Sequence, residues 1–532
     1  MSVDALEWMQ TLAQEFSLAV IKQDSAYHAA KEALEFVFLT SLHGHHCVSV
    51  SEEGIHPDPS QALAPHFLER DLLKTSFFAL EKLLAKLSTK MQILPIHQQG
   101  KDFYLHKTFM MQHTLVFHLA QLQSSPLEHV FDHDLILKIA QPYRSFLNEQ
   151  QYAAVVEGLR HPLHLLSGGP GTGKSYTVFY LLKTLIDLYA LKQLQPKVLV
   201  IAPTGKAASV LSERLVSLKN RIVVDVSTAH KALKAAFRKD NIYHQLIGYD
   251  LIVLDEASMV DLGLFATLFR CIPKGVRVIL MGDHYQLPPV EGSMVFQHLL
   301  QVLPHSILKE SKRVENKALL EISEKIKEED REYFEQLISG DILYPELEYM
   351  QCSTEEPLDL LLQKVGDPNI FAATFLTPIK HGPWGTEALN SQMLTKTQEK
   401  QDSKIPILVT KNQYELEIFN GDIGYLKYLP EPVGVFSSAL GEKVVPLCLI
   451  EQWTTAFALT IHKSQGSEYD HVALFLPQGA ERFGKQLLYT AVTRAKRKIT
   501  IFAVEGVLLK CLKQTSEKHS QLAQELQSAL HS

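Results

Sequence analysis

The chain has 532 residues, 46% apolar and 21% charged, an ordinary soluble composition with room for three or four domains at about 150 residues each. Its formal charge of −7 excludes a global attraction to nucleic acid, so such binding must come from local basic patches. Five scattered cysteines without a C-x-x-C pair exclude the usual zinc clip and fit reduced thiols in a cytoplasmic protein with no structural zinc, and no run of about eighteen apolar residues is present to span a membrane.

The opening MSVDALEWMQ lacks a basic region followed by an apolar core, so no signal peptide is expected. Residues 1–142 read as mostly helical, for example over 26–42 and 68–86, with strand-like runs at CVSVS, ILPIH and DFYLHKTFM. The histidines of HGHH (43–46) have no carboxylate or cysteine at matching spacing and read as a polar turn. No catalytic motif appears in this part, which suggests a scaffold or docking domain, and Pro126 and Pro142 flank a weak linker.

From residue 146 the pattern changes. FLNEQQYAAVVEGL reads as a helix before LHLLSGGPGTGKS, where an apolar strand breaks into glycines and then into the amphipathic helix YTVFYLLKTLIDLY. Gly168, Gly173, Lys174 and Ser175 fit G-x-x-x-x-G-K-[ST], a phosphate-binding loop. Glycines let backbone N–H groups turn inward around phosphate oxygens, and the helix N-terminus adds its positive end. Lys174 then reaches the β- and γ-phosphates of a nucleoside triphosphate, and the Ser175 hydroxyl holds Mg²⁺.

The runs VLVIA, LIVL and VRVILM alternate with helices and read as parallel strands buried on both faces, their carboxyl ends along one ligand crevice. After LIVL come Asp255 and Glu256, suited to hold Mg²⁺ and to polarise an attacking water. An acidic turn alone is weak, but after a phosphate loop it gains weight. After VRVILM comes GDHYQLPPV, whose Gln286 amide can contact both γ-phosphate and attacking water; the rival reading is a proline-stiffened turn.

In APTGKAAS, Thr204 and Lys206 can donate to a nucleic-acid backbone, although a solvated loop would look the same. STAHKALKAAFRK carries Thr228, His230 and a basic stripe that fits phosphate contacts and fits a solvated helix face equally well. A charged helix over 316–329 precedes the strand ATFL, which runs into TPIKHGPWGTEALN. Residues 405–450 contain the short strand-like runs PILVT, YELEIF, GYLKYL and EKVVPLCLI with an Asn-Gly hairpin signal, a small β module inserted into a second α/β domain. That domain resumes with FALTI, HVALFLP and KITIFAV, and 514–532 reads as a polar helix. Between its strands, His462, Lys463, Gln465, Gly466 and Glu468 suggest nucleotide and nucleic-acid contacts. Arg494 and Arg313 are candidate arginine fingers, and for either one alone a surface ion pair is the competing reading.

Taken together, GGPGTGKS, APTGKAA, DEASMVD, GDHYQLPPV, LTPIKHGPWGTEALN, NGDIG, TIHKSQGSEYDHV and LLYTAVTRAK resemble superfamily 1B helicases of the RecD kind, in the family's order over about residues 146–503. The resemblance implies an α/β fold with two RecA-like motor domains, ATP and Mg²⁺ as cofactors, and 5′-to-3′ translocation on single-stranded DNA. It implies that Gln151 reads adenine and that Gly168, Gly169, Pro170, Gly171, Thr172, Gly173, Lys174, Ser175, Tyr176 and Gly466 bind nucleotide. Ser175 and Asp255 would be the metal ligands, Lys174, Asp255, Glu256 and Gln286 catalytic, and Arg313 and Arg494 the fingers. Thr204, Lys206, Thr228, His230, Thr377, His462 and Lys463 would contact DNA.

The N-terminal part resembles the docking domain of the α subunit of the RecBCD helicase–nuclease, most clearly in AYHAAKEALEFVFLTSLHGHHCVSVS. That likeness implies RecB and RecC partners, DNA ends as substrate, a place in repair and recombination, and nuclease activity only in a partner. The expected division is a docking domain (1–142), motor 1A (143–304, with a short 1B insertion near 231–248), motor 2A (305–505, with an SH3-like β-barrel 2B near 395–452) and a helical tail (506–532). A stand-alone 5′-to-3′ helicase and a nucleotide-binding structural subunit are the alternatives.

Overall fold

The computed structural model describes residues 25–59, 70–88, 96–218, 220–236, 246–289, 294–311, 317–356, 358–365, 373–398, 404–413, 415–416, 418–428, 431–438, 441–514 and 518–532. Arg313 and residues 237–245 of the expected 1B insertion lie outside them.

The N-terminal part mixes helix and sheet where mostly helix is expected. Strands β1 (Cys47–Val50), β2 (Ile55–His56), β3 (Ile96–Gln99) and β4 (Asp102–Leu105) form an antiparallel sheet in the order β2-β1-β4-β3. Helices Ser25–Leu42 and Arg70–Ser88 cover it, burying Phe36, Phe77, Leu80 and Phe103 in a core of their own. HGHH lies in the turn before β1, as its sequence suggests. The next helix, His106–Ser124, leaves that core, and its Leu115, Leu119 and Leu122 pack with Phe265 and Phe269 further along the chain. The stretch expected as a weak linker contains a helix, His133–Ala140, capped by the Asp132 carboxylate and buried through Ile136 and Ala140.

The first motor sheet contains β5 (Leu163–Gly168), β6 (Lys197–Ala202), β7 (Val223–Thr228), β8 (Leu251–Leu254), β9 (Arg277–Gly282) and β10 (His305–Leu308). Every neighbouring pair is parallel, in the order β10-β5-β9-β8-β6-β7. The central strands β5, β8 and β9 are buried along their whole length, because helices cover both sheet faces. The two strands absent from the sequence reading, β7 and β10, are the sheet edges, where half-exposed residues such as Val223 and His305 break up the apolar run.

The second motor begins with β11 (Leu347–Gln351) and β12 (Thr374–Thr377). The inserted module follows, with β13 (Ile405–Val409), β14 (Ile423–Tyr428), β15 (Pro432–Ser438), β16 (Gly441–Pro446) and β17 (Trp453–Thr455). The chain then supplies β18 (Ala458–Thr460), β19 (Tyr469–Leu476) and β20 (Ala495–Ala503), giving a parallel sheet ordered β11-β20-β19-β12-β18. Consecutive α/β units with one insertion thus make two parallel sheets, the architecture of a RecA-like motor pair.

The module differs from a closed barrel. It is an antiparallel sheet ordered β16-β15-β14-β13-β17, and among the described residues no pairing joins its edges β16 and β17. YELEIF does not form a strand among the described residues; it contributes an isolated bridge between Gln413 and Ile418. Asn420-Gly421 closes the loop before β14, with Gly421 at φ +97°, rather than forming a two-residue hairpin. The tail helix spans Leu522–His531, shorter than expected, and seats Leu522 and Leu526 in the first motor's core.

Candidate functional site: a nucleotide cleft between two sheets

The phosphate loop joins β5 to the helix Lys174–Leu191. Gly171 and Gly173 hold φ values of +77° and +87°, which a glycine adopts without steric cost. Lys174 Nζ donates to the Gly168 carbonyl at 2.7 Å and lies 3.4 Å from that of Gly169, so its ammonium waits folded over the loop. Thr172 Oγ1 donates to the Gly169 carbonyl at 2.8 Å.

Gln151 sits under this loop and not in its mouth. It is fully buried; its Nε2 donates to the Thr172 carbonyl at 3.0 Å, and its Oε1 accepts from the Asn148 N–H in the capping box of helix Glu149–Arg160. The expected adenine reader therefore braces the loop from behind, and a Cβ at Gly173 would stand 2.5 Å from its Nε2.

Asp255 and Glu256 follow β8 beside the loop. The Glu256 N–H donates to Asp255 Oδ1 at 2.9 Å, and Glu256 takes a left-handed conformation at φ +49°. Burial, and then the neighbouring Glu256 carboxylate, push the Asp255 carboxyl well above the usual carboxylate range, opposed by the Glu256 N–H and by Lys174 and Arg214. Gln286, after β9, is buried; its Nε2 donates to Asp283 Oδ2 at 3.1 Å, and its Oε1 has no partner among the described residues. A buried amide oxygen left open beside a phosphate site is poised for a ligand or water.

The second motor completes the cleft. Arg494, 3% exposed, is fixed by three donations: Nε to the Thr490 carbonyl, Nη1 to that of Ser467 and Nη2 to Thr493 Oγ1, at 3.1 to 3.2 Å. A cavity of about 410 Å³ is lined by Gly169–Gly171, Lys174, Ser175, Tyr176, Asp255, Glu256 and Gln286 from one side and by Gly466, Glu468 and Arg494 from the other. A second cavity of about 460 Å³ adjoins it at Gly169 and Pro170, walled by Tyr489, Lys327 and Leu308.

Three residues absent from the sequence reading link the two sides. Asp283 is fully buried and accepts from Gln286, from the Tyr285 N–H and from the Tyr489 hydroxyl at 3.1 Å. Burial pushes the Tyr489 phenol well above its ordinary range, so the hydroxyl keeps its proton at neutral pH and donates that hydrogen bond. One residue on, Thr490 Oγ1 accepts from the Leu287 N–H at 2.8 Å, while Gln465 Nε2 donates to the Leu287 carbonyl at 2.8 Å. A Cβ at Gly169 would stand 2.7 Å from the Tyr489 hydroxyl, so a glycine is what lets the second motor come this close. Both motifs were visible in sequence, but which of their polar residues face each other across a domain boundary is not encoded in spacing.

Comparison with known proteins agrees with this geometry. Residues 146–343 match the AAA domain family, and residues 455–502 match the UvrD-like helicase C-terminal domain. The RecBCD enzyme subunit RecD of Mycobacterium tuberculosis is 31% identical over 432 residues, covering 72% of this chain and 73% of that protein. The chain belongs to the RecD family. The RecD subunit of Haemophilus influenzae is 26% identical, with 82% of each chain covered. The ATP-dependent RecD2 DNA helicase of Deinococcus radiodurans is 30% identical over 66% of this chain and 48% of its own.

The residues expected to touch DNA divide by exposure. His230 and Lys463 are exposed, Thr204 and His462 are half-buried, and the Lys206 side chain lies outside the described set. Thr204 Oγ1 caps helix Gly205–Leu215 through the Ala207 N–H, and Thr228 does the same for helix Ala229–Ala236 through the Lys231 N–H. Thr377 is fully buried at the end of β12, its hydroxyl 3.5 Å from the Ile379 N–H. Thr228 and Thr377 thus hold backbone ends in place where direct contact is expected. On the same side, Phe419 of the inserted module lies against Gly205, with ring and Cβ atoms 2.5 to 2.7 Å from where a Cβ would be.

Proposed function

We propose that this chain is an ATP-dependent DNA helicase that moves 5′-to-3′ along single-stranded DNA and serves as the RecD-type subunit of a complex with RecB- and RecC-type partners. The observation that carries the motor reading is the single cavity bounded by the phosphate loop, the acidic pair and Gln286 on one sheet and by Gly466, Glu468 and Arg494 on the other. A nucleotide bound there touches both motors, so its hydrolysis can open and close the cleft.

Lys174 exchanges its loop carbonyls for the β- and γ-phosphates. Ser175 and Asp255 supply the hydroxyl and carboxylate oxygens that suit Mg²⁺, which, when bound, neutralises phosphate charge. Glu256 takes the proton of the attacking water, and the open Gln286 Oε1 orients that water. Arg494 stabilises the charge that develops on the γ-phosphate, with Arg313 proposed as a second finger. The Asp283–Tyr489 and Leu287–Thr490 hydrogen bonds carry the nucleotide state into the second motor. Exposed His230 and Lys463, with Thr204, Lys206 and His462, grip the DNA backbone. Thr228 and Thr377 position those loops.

Within this reading, 1–142 docks the partners, 143–304 and 305–505 are the motors with insertions near 231–248 and 395–452, and 506–532 is the tail. A purely structural subunit would not require a complete catalytic set. Displacement of a duplex bearing a 5′ single-stranded tail, but not one bearing a 3′ tail, tests the proposal; equal or opposite preference refutes the polarity. Co-purification with RecB- and RecC-type chains tests the assembly.

A further inference from the structure

Isolated cysteines rule out a paired-cysteine clip but still allow one cysteine to share an ion with other donors. Such a set exists outside the residues that line the nucleotide cleft, where the C-terminal segment meets the N-terminal sheet. In the β1–β4 pairing, Cys47 stands opposite Tyr104 and Ser49 opposite Asp102, so all four share one sheet face. His519 reaches that face from the other end of the chain. A sulfur from Cys47, a carboxylate oxygen from Asp102 and a ring nitrogen from His519 lie within 4.8 Å of one another.

The surroundings hold these donors in place. The His519 N–H donates to His45 Nδ1 at 2.8 Å, and its carbonyl accepts from the His46 N–H at 2.9 Å. Ser49 Oγ donates its one proton to Asp102 Oδ1 and lies 2.5 Å from His519 Nε2, so it bridges the two side chains, and an ion held by the imidazole would replace its contact with the ring. Gln521 Nε2 lies 3.3 Å from both Ser49 Oγ and Asp102 Oδ1. Cys47 is only 2% exposed, so the sulfur is shielded from bulk water and oxidants.

We propose that Cys47, Asp102 and His519 form a zinc site that staples the C-terminal segment to the N-terminal sheet. One sulfur, one imidazole and one carboxylate are a donor set that zinc accepts, and the soft sulfur disfavours Mg²⁺ and Ca²⁺. Three protein donors leave a fourth position for water. Zn²⁺ displaces the thiol proton to solvent, and its two positive charges balance thiolate and carboxylate. Ser49 and Gln521 remain as hydrogen-bonding partners that orient the carboxylate. The ion would also fix the N-terminal domain relative to the first motor, because helix Leu522–His531 seats Leu522 and Leu526 in that motor's core.

The test uses the full chain, purified without a histidine tag and stripped of metal, titrated with Zn²⁺ and, as a spectroscopic probe, Co²⁺. One tightly held ion per chain is expected, with a thiolate-to-cobalt charge-transfer band and the visible bands of tetrahedral cobalt. Cys47→Ser should abolish that band and weaken zinc binding at least about tenfold. Cys448→Ser, at an exposed cysteine outside the site, should leave both intact. Asp102→Asn and His519→Gln should weaken zinc, and zinc should raise the unfolding temperature of the wild type but of neither variant. Absence of a stoichiometric ion, a cobalt spectrum without the thiolate band, or unchanged zinc binding in Cys47→Ser would overturn the site. If a variant fails to fold, the wild-type zinc content and cobalt spectrum decide alone.

Discussion

The link between the motors can be broken by removing one oxygen. In Tyr489→Phe the ring still fills its place, but Asp283 loses the donor that comes from the second motor and keeps Gln286 and the Tyr285 N–H from the first. A hydrogen bond to a charged group contributes about 1.5–3 kcal/mol, and the carboxylate that loses it is fully buried. If that energy is spent holding the closed cleft, its loss lowers DNA-stimulated turnover by roughly 10- to 150-fold, at about 1.4 kcal/mol per factor of ten. Nucleotide affinity should stay near wild type, since the phosphate loop is untouched. The assay is ATP turnover at saturating single-stranded DNA and without DNA, with binding of a non-hydrolysable analogue as control. Thr490→Val should act in the same direction by orphaning the Leu287 N–H, and Thr490→Ser should restore it. Tyr489→Phe with full DNA stimulation would refute the coupling argument.

Four further outcomes follow from the same geometry. Lys174→Gln should reduce ATP turnover by orders of magnitude while DNA binding, measured by fluorescence anisotropy, stays largely intact. Arg494→Lys should lower kcat by roughly 10³ with little change in ATP KM, because a lysine cannot reproduce three fixed donors and a planar charge. Gly173→Ala forces a Cβ to within 2.5 Å of Gln151 Nε2 at φ +87°, so nucleotide affinity should fall and the loop become more protease-sensitive. His164 is pushed down to about 3, first by burial and then by His161 and His305, so the folded protein keeps it neutral while the unfolded chain takes up a proton below about 6.5. Stability should therefore drop as pH falls from 6.5 toward 3, by at most about 1.4 kcal/mol per pH unit from this group, and His164→Gln should flatten that slope in thermal melts.

Much of this molecule was legible in its sequence because its buried parallel strands are continuous apolar runs, each ending at a motif. LHLLSGG and LIVLDE announce both the strand and the chemistry at its carboxyl end. The edge strands of the first sheet were not legible: VVDVST and HSIL carry half-exposed residues and no such run. The misread YELEIF has alternating glutamates that look like a strand, but among the described residues only the isolated Gln413–Ile418 bridge forms there. At the site, residue types specified the phosphate loop, the acidic pair and Arg494, whereas orientation had to come from packing. Gln151 braces the loop because its amide finds the Thr172 carbonyl and the Asn148 N–H, both within reach only once the capped helix lies under the loop. The Asp283–Tyr489 contact and the Cys47–Asp102–His519 group join residues whose proximity depends on how whole sheets and the C-terminal segment meet.

The most direct test of the central claim is the rate of ATP hydrolysis as single-stranded DNA is titrated into the purified full chain, alone and with RecB- and RecC-type partners. The account predicts saturable stimulation by DNA that disappears in Lys174→Gln. A rate that stays flat across the titration in both settings, or that Lys174→Gln leaves unchanged, would contradict it.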